Sequence, residues 1–131
     1  MKIVLDSNVT LAAFATRGLC EAVMAVCLDR HEIILSEAIL DEVLGHLAGK
    51  FKMPPARVEE IARFLREHAQ VVLPVDVPLN ACRDPDDRVV LGTAVAGEAA
   101  FLVTGDDDLV TLKQYQTVHI VTPRAFYDRL L

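Results

Sequence analysis

Lys2-Ile3-Val4-Leu5-Asp6 stands near the start of the chain, and Phe101-Leu102-Val103-Thr104-Gly105-Asp106 repeats its pattern near the end: a short apolar run closed by an acid. Consecutive apolar residues without polar alternation are what a strand buried on both faces requires, and such strands belong to parallel sheets covered by helices. Working outward from these two runs, strands are expected at 2–6, 31–35, 70–73, 100–104 and 118–121. Segments of helical period separate them, at 8–15, 18–30, 37–50, 55–69, 86–98 and 123–130. Ser36 is placed to cap the third of these helices. Pro54-Pro55, Asp84-Pro85 and Thr122-Pro123 mark the starts of the fourth, fifth and last, because the first helical turn leaves its N–H groups unused and tolerates proline. Pro74 to Ala81 reads as an extended surface connection. The alternation of strand and helix predicts an α/β fold: three layers, α/β/α, around a mainly parallel sheet of about five strands.

A chain of 131 residues is of ordinary single-domain size, so one domain spanning 1–131 is expected. A hydrophobic fraction of 53% with 24% charged residues excludes a disordered chain. No apolar run approaches the roughly 20 residues needed to cross a bilayer. The N-terminus meets Asp6 after only three apolar residues, unlike a signal peptide, so no membrane partner is expected and the cytoplasm is the expected location. The net charge of −6 excludes a broad polyanion-binding surface, and a nucleic-acid ligand would need metal ions and a local basic patch. The most basic stretch runs from Gly49 to Arg66, with Lys50, Lys52, Arg57, Arg63 and Arg66, and reads either as a solvated helical face or as a phosphate contact. Cys20, Cys27 and Cys82 lack metal-ligand spacing. Cys20 and Cys27, seven apart on one helical face, read as reduced core thiols.

The acids carry the chemistry. Asp6 and Asp106 fall at the carboxyl ends of strands, the edge where open parallel sheets bind ligands. Asp87 shares a helical stripe with Val90, Leu91 and Ala94, and Glu42 flanks the stripe of Ile39, Leu40, Val43, Leu44 and Leu47, four residues before His46. An ionised carboxylate removed from water is costly without a compensating cation or hydrogen bonds. Two of them about 4 Å apart repel by roughly 4 kcal/mol at an effective dielectric of about 20. Acids converging on one edge therefore imply a hard, oxygen-preferring divalent ion such as Mg²⁺ or Mn²⁺, which can acidify water for attack on a phosphodiester. Simpler roles compete: Asp84 and Asp87 have capping-box spacing, Asp6 is placed to cap the first helix, and Asp106-Asp107-Asp108 can form a plain turn.

Asp6-Ser7-Asn8-Val9 after the first strand, Ser36-Glu37 leading to Glu42, Arg83-Asp84-Pro85-Asp86-Asp87 followed by Leu91 and Ala94, and Thr104-Gly105-Asp106-Asp107-Asp108-Leu109 occur in an order and spacing that resembles the PIN-domain proteins. More narrowly, the chain is similar to the toxin components of bacterial and archaeal toxin–antitoxin systems, relatives of VapC. The resemblance spans nearly the whole chain. It implies a PIN-like fold and a single-stranded RNA endonuclease that uses Mg²⁺ or Mn²⁺. It further implies Asp6, Glu42, Asp87 and Asp106 as the catalytic and metal-holding acids, Asn8 and Thr104 as the residues orienting them, and Asp108 as a supporting acid. A homodimer and a silencing antitoxin are the implied partners. Asp86 beside Asp87 leaves the third acid open to a one-residue slip; the helix stripe favours Asp87. Arg83 and Arg88 flank the acidic element and are open to phosphate contact or to solvent.

Two other strand-end-acid families fit less well. A haloacid-dehalogenase-like phosphatase needs a second aspartate where Asn8 stands. A response-regulator receiver needs an aspartate ending the third strand and a lysine ending the fifth, where Val71-Val72-Leu73-Pro74 and Ile120-Val121-Thr122-Pro123 provide neither. No nucleophilic side chain with a paired base is evident: Cys82 and Ser7 lack one, and His46 reads as an edge histidine. The alternative from another class is a non-catalytic module that keeps the groove to bind RNA or an antitoxin.

Overall fold

The structure is a computed structural model and describes residues 1–130. In chain order its elements are β1 (Lys2–Leu5), α1 (Ser7–Ala15), α2 (Leu19–Arg30), β2 (Glu32–Leu35), α3 (Glu37–Gly49), α4 (Pro55–His68), β3 (Ala69–Val71), α5 (Pro85–Ala96), β4 (Phe101–Val103), α6 (Asp107–Leu112), β5 (Gln114–Tyr115), β6 (Val118–Val121) and α7 (Pro123–Leu130). The sheet order is β3-β2-β1-β4-β6-β5, parallel throughout except for β5, which pairs antiparallel with β6. From β1 the chain builds one way through β2 to β3, then restarts on the other side at β4. The strand order therefore reverses between β1 and β4, and the crevice above their carboxyl ends is the natural ligand site of such a sheet.

Helices flank the sheet, giving the expected mixed α/β architecture with its mostly parallel sheet. Ile3, Val4, Ile34 and Leu102 on the strands are completely buried, as are Leu40, Val43, Leu47 and Leu91 on the helices. The helix starts behave as their residues dictate. The Ser36 hydroxyl accepts from the Ile39 amide at the head of α3, Pro55 sits at the first position of α4, and the Asp84 carboxylate accepts from the Asp86 amide ahead of α5. The Thr122 hydroxyl accepts from the Ala125 amide (3.1 Å) at the head of α7. Among the described residues no single helix is long and apolar enough to cross a membrane. Cys27 is fully buried, whereas Cys20 is only half-buried, so the core-thiol expectation fits the first better than the second.

Three features depart from expectation. The sheet has six described strands rather than five, because the two-residue β5 adds an antiparallel edge. The segment 107–112, expected to be a turn or loop, is the short helix α6. The strand expected at 70–73 pairs over Ala69–Val71. Val72 still donates its amide to Leu35 (2.8 Å), but the next donor on that side would belong to Pro74, which has no N–H, so the ladder stops there.

Beyond β3 the chain crosses α5, with the Val75 amide donating to the Gly92 carbonyl (3.2 Å). A Cβ at Gly92 would collide with the Val75 carbonyl oxygen and press on Pro74, so the crossing is possible only because position 92 has no side chain. Gly92→Ala is expected to destabilise the fold. An alanine gains at most about 1 kcal/mol of helix propensity, whereas overpacking against backbone costs about 1–3 kcal/mol, here near the upper end. Urea unfolding checks this, and an unchanged or raised midpoint would contradict the tight crossing.

Candidate functional site

Asp6 follows β1 directly, and its amide extends the β1–β4 ladder by donating to the Val103 carbonyl (3.0 Å). That bond turns Asp6 into the buried crevice, with only 7% of its surface exposed. Both carboxylate oxygens have donors: the Ser7 amide reaches Oδ1 (2.6 Å) and the Thr104 hydroxyl reaches Oδ2 (2.6 Å). Asp6 thus caps α1 and also faces the acids across the crevice. Burial pushes its carboxyl above the ordinary aspartate range; the Thr104 and Ser7 bonds oppose this, and the charges of Glu42 and Asp106 add to it.

Thr104, completely buried at the end of β4, works in two directions. Its hydroxyl donates to Asp6 while accepting from the Asp106 amide (3.0 Å). Asp106 then caps α6 by accepting from the Leu109 amide (3.1 Å), which places Asp108 in the first turn of the same helix. On the opposite wall Asp87, in the first turn of α5, is 8% exposed. One carboxylate oxygen from each of Asp87, Asp106 and Asp108 lies within 4.8 Å of the others. Burial first, then the charges of Asp106, Asp84 and Asp6, push the Asp87 carboxyl up to about 6, with the Cys82 thiol pulling weakly the other way.

Glu42 stands at the rim. It is exposed on α3 and is linked to the crevice by the Ser7 hydroxyl, which donates to its Oε2 (3.2 Å). Asp86 is exposed and lines a small cavity beside Glu42, whereas its neighbour Asp87 turns inward to the other aspartates. The slip left open by the sequence is therefore resolved geometrically in favour of Asp87 as the residue facing the cluster. Asn8 is exposed and makes no hydrogen bond to these acids among the described residues. His46 is exposed on α3. Arg83 is exposed and lines a cleft with Cys82 and Asp108, whereas Arg88 Nη1 donates to the carbonyls of Cys82 (2.8 Å) and Arg83 (2.9 Å) and so fastens the loop leading into α5. The sequence reading missed Ser7 as a link to Glu42 and treated Asp108 as secondary. Neither had a sequence signal: the closeness of Asp108 to Asp87 depends on α6, which is too short to show a helical period.

Among the described residues no lysine, arginine or histidine pairs with Asp6, Glu42, Asp87, Asp106 or Asp108. The ion pairs that form, Arg30–Asp29, Arg57–Glu60, Arg66–Glu37 and Arg124–Asp128, lie on the exposed surface elsewhere. Asp6 and Asp87 are buried, Asp106 is half-buried and Asp108 and Glu42 are exposed; acids so placed, without a counter-charge and offering oxygen donors only, fit a hard divalent cation. Asp87, Asp106 and Asp108 are placed to hold it, with Asp6 behind them and Glu42 at the rim.

Comparison with known proteins bears on the family and the fold. An uncharacterized protein of Methanocaldococcus jannaschii is 24% identical over 141 aligned residues, covering 98% of this chain and 90% of that protein. A chain in the crystal structure of VapBC2 from Rickettsia felis bound to a DNA fragment from their promoter shares the fold, with a TM-score of 0.60 over 93% of this chain and 98% of that one at 14% identity. The PIN domain family matches residues 2–108, a span that holds all five acids of the crevice. The chain belongs to the PIN domain family, whose members are generally nucleases.

Proposed function

We propose that this protein is a Mg²⁺- or Mn²⁺-dependent endoribonuclease that hydrolyses single-stranded RNA, acting as a single cytoplasmic domain and as the toxin of a toxin–antitoxin pair. The observation that carries the reading is the Asp87, Asp106 and Asp108 cluster, within 4.8 Å and without a basic partner among the described residues, at the reversal point of the sheet. The homodimer and the silencing antitoxin follow from the family resemblance, and the likeness to a VapBC2 chain supports the antitoxin.

In this mechanism Asp6, Glu42, Asp87 and Asp106 are the catalytic, metal-holding acids, and the position of Asp108 adds it to the set. A bound divalent ion supplies the missing counter-charge and the acidity that makes water a competent nucleophile toward a phosphodiester. The chain's own residues do the positioning. Thr104 fixes the Asp6 and Asp106 strand ends against each other, and Ser7 ties Glu42 to the crevice. No side-chain nucleophile is called for, since burial pushes the Cys82 thiol up and the Ser7 hydroxyl is engaged by Glu42. With the chain at −6, the RNA backbone is attracted by the bound ion and by local cations, Arg83 among them, rather than by the surface as a whole.

Purified protein should cut single-stranded RNA when supplied with Mn²⁺, and Asp6→Asn and Asp87→Asn should each remove at least about two orders of magnitude of that rate, the scale on which losing a preorganised charge acts. Equal cutting by wild type and both variants would assign the activity to a contaminant. Tight RNA or antitoxin binding without any cutting would favour the non-catalytic module. Thr104→Val should weaken Mn²⁺ binding about 10- to 100-fold, as losing an outer-shell partner does, with the melting temperature serving as the control for a purely structural effect.

The raised Asp87 carboxyl gives a pH signature with a definite sign. A carboxyl whose folded value lies above its unfolded one binds its proton more tightly in the fold. In the metal-free protein the contribution of Asp87 to stability is therefore fully present below about 4 and is lost as pH rises through about 6. At about 1.4 kcal/mol per pKa unit, Asp87 alone accounts for a loss on the order of 3 kcal/mol at neutral pH. Asp87→Asn should be more stable than wild type at pH 7 without metal and should flatten this part of the profile, and Mn²⁺ should close the gap. Parallel pH profiles for the two metal-free proteins would refute the raised Asp87 carboxyl.

A further inference from the structure

The crevice walls carry acids, so an RNA strand has to be held by groups outside them. One edge of α3 leads away from the rim. Glu42, His46 and Lys50 follow at four-residue intervals, all exposed, and form a row that winds slowly along the helix. At about 1.5 Å per residue the row from Glu42 to Lys50 is about 12 Å long, and its charge turns from acidic at the rim to basic at the far end.

At that end the chain turns through Lys50-Phe51-Lys52 toward α4. Phe51 is 41% exposed, and the Lys50 ammonium stands 5.8 Å from the centre of its ring. The turn is fixed. The Phe51 amide donates to the His46 carbonyl (3.1 Å) and the Met53 amide to the Leu47 carbonyl (2.9 Å). Lys52 is left-handed (φ 51), a backbone state that glycine or asparagine takes more readily, so a lysine is kept there against strain. No carboxylate pairs with Lys50 or Lys52 among the described residues, although Arg57 and Arg66 in the same basic stretch are both paired. Gly45 and Gly49 run beside the row. A Cβ at either would meet no neighbouring atom within 4 Å, so packing requires neither, and Gly45 weakens the helix relative to alanine.

We propose that this edge of α3 and the turn beyond it form a single-strand track, in which Lys50 and Lys52 contact phosphates of the RNA and one base stacks on Phe51. The argument is charge complementarity joined to a stacking face. An exposed aromatic between two cations is what sequence-tolerant single-strand binding requires, since every base has a face and every nucleotide a phosphate. In a chain of net charge −6 such a spot draws a polyanion that the surface as a whole does not. The inference rests on the reading of the crevice as the place where RNA is cut, and it assigns the track to holding the strand.

The test is fluorescence anisotropy of a labelled single-stranded RNA of about ten nucleotides, within the usual range of single-strand sites, titrated with protein in chelator at several salt concentrations. Lys50→Ala/Lys52→Ala should flatten the slope of log affinity against log salt by about 1.4, since each lost phosphate contact on a single strand is worth about 0.7. Phe51→Ala should weaken binding about fivefold or more and leave that slope unchanged, because stacking releases no counterions. Phe51→Tyr, which keeps the stacking face, should bind as wild type, and Lys113→Ala, just before β5, should change neither quantity.

Wild-type affinity and slope in both turn variants overturn the track and leave the nuclease reading standing. A flattened slope in the lysine variant beside full affinity in Phe51→Ala overturns the stacking platform, and a loss in Lys113→Ala as large as that in the lysine variant overturns the location. The expected pattern without any cutting under Mn²⁺ keeps the track and overturns the nuclease reading. No binding of RNA by wild type overturns the track. Should Phe51→Ala fail to fold, photo-crosslinking of thiouridine-labelled RNA to wild type decides: an adduct within Lys50 to Lys52 supports the proposal, and adducts confined to other segments end it.

Discussion

A single hydroxyl joins the two strand-end acids at the place where the sheet order reverses. Thr104 donates to Asp6 beyond β1 and accepts from the Asp106 amide beyond β4, and it is completely buried while doing so. The remaining geometry of the crevice follows from that arrangement. With Asp106 held by its amide, its carboxylate is free to cap α6, and the first turn of α6 brings Asp108 back toward Asp87. Valine would fill the same volume but offers neither a donor nor an acceptor, so only a β-hydroxyl of this size can hold two acids at once.

The acids are set against the interest of the fold. Asp6 and Asp87 both have their carboxyls pushed up, chiefly by burial, with the charges of Glu42 and Asp106 adding to it at Asp6 and those of Asp106, Asp84 and Asp6 at Asp87. The apolar framework absorbs this cost: the strands beneath the crevice, Ile3 to Leu5 and Leu102 to Val103, are fully or almost fully buried, and close-packed strands transmit little relaxation. Had the same acids been carried on loops, they would swing apart in water, and their crowding would vanish. Rigidity of the sheet edge is thus what keeps the acids together.

How much of this could be read from the residues depended on how each element announces itself. β1, β4 and the Ile33–Leu35 part of β2 appear as short apolar runs, and β6 is apolar apart from exposed His119, so their order and the α/β class were plain. β3 misled by two residues, because Val72-Leu73 continues the apolar run after pairing has ended at Val71; Leu73 is in fact 87% exposed. α6 and β5 were invisible for a different reason. α6 is too short to show a period, and the chain turns with left-handed backbone at Lys113 and Gln116, where glycine or asparagine would have marked the corners. Asp6 and Asp106 were legible as strand-end acids and Asp87 by its helical stripe. The weight of Asp108 was hidden, since its closeness to Asp87 depends on α6 existing.

That hidden turn also explains why the acids divide into a tight set and a looser one. Asp87, Asp106 and Asp108 sit at the heads of α5 and α6, where the free amides of the first turn favour negative charge and offset part of the mutual repulsion. Glu42 lies well inside α3 and has no such support. It is exposed and connected only through Ser7, so its carboxylate keeps its water at little cost. Acids at helix heads can stand close together, whereas an acid at mid-helix stays at the rim, so the asymmetry of the site follows from where each acid falls in its own helix.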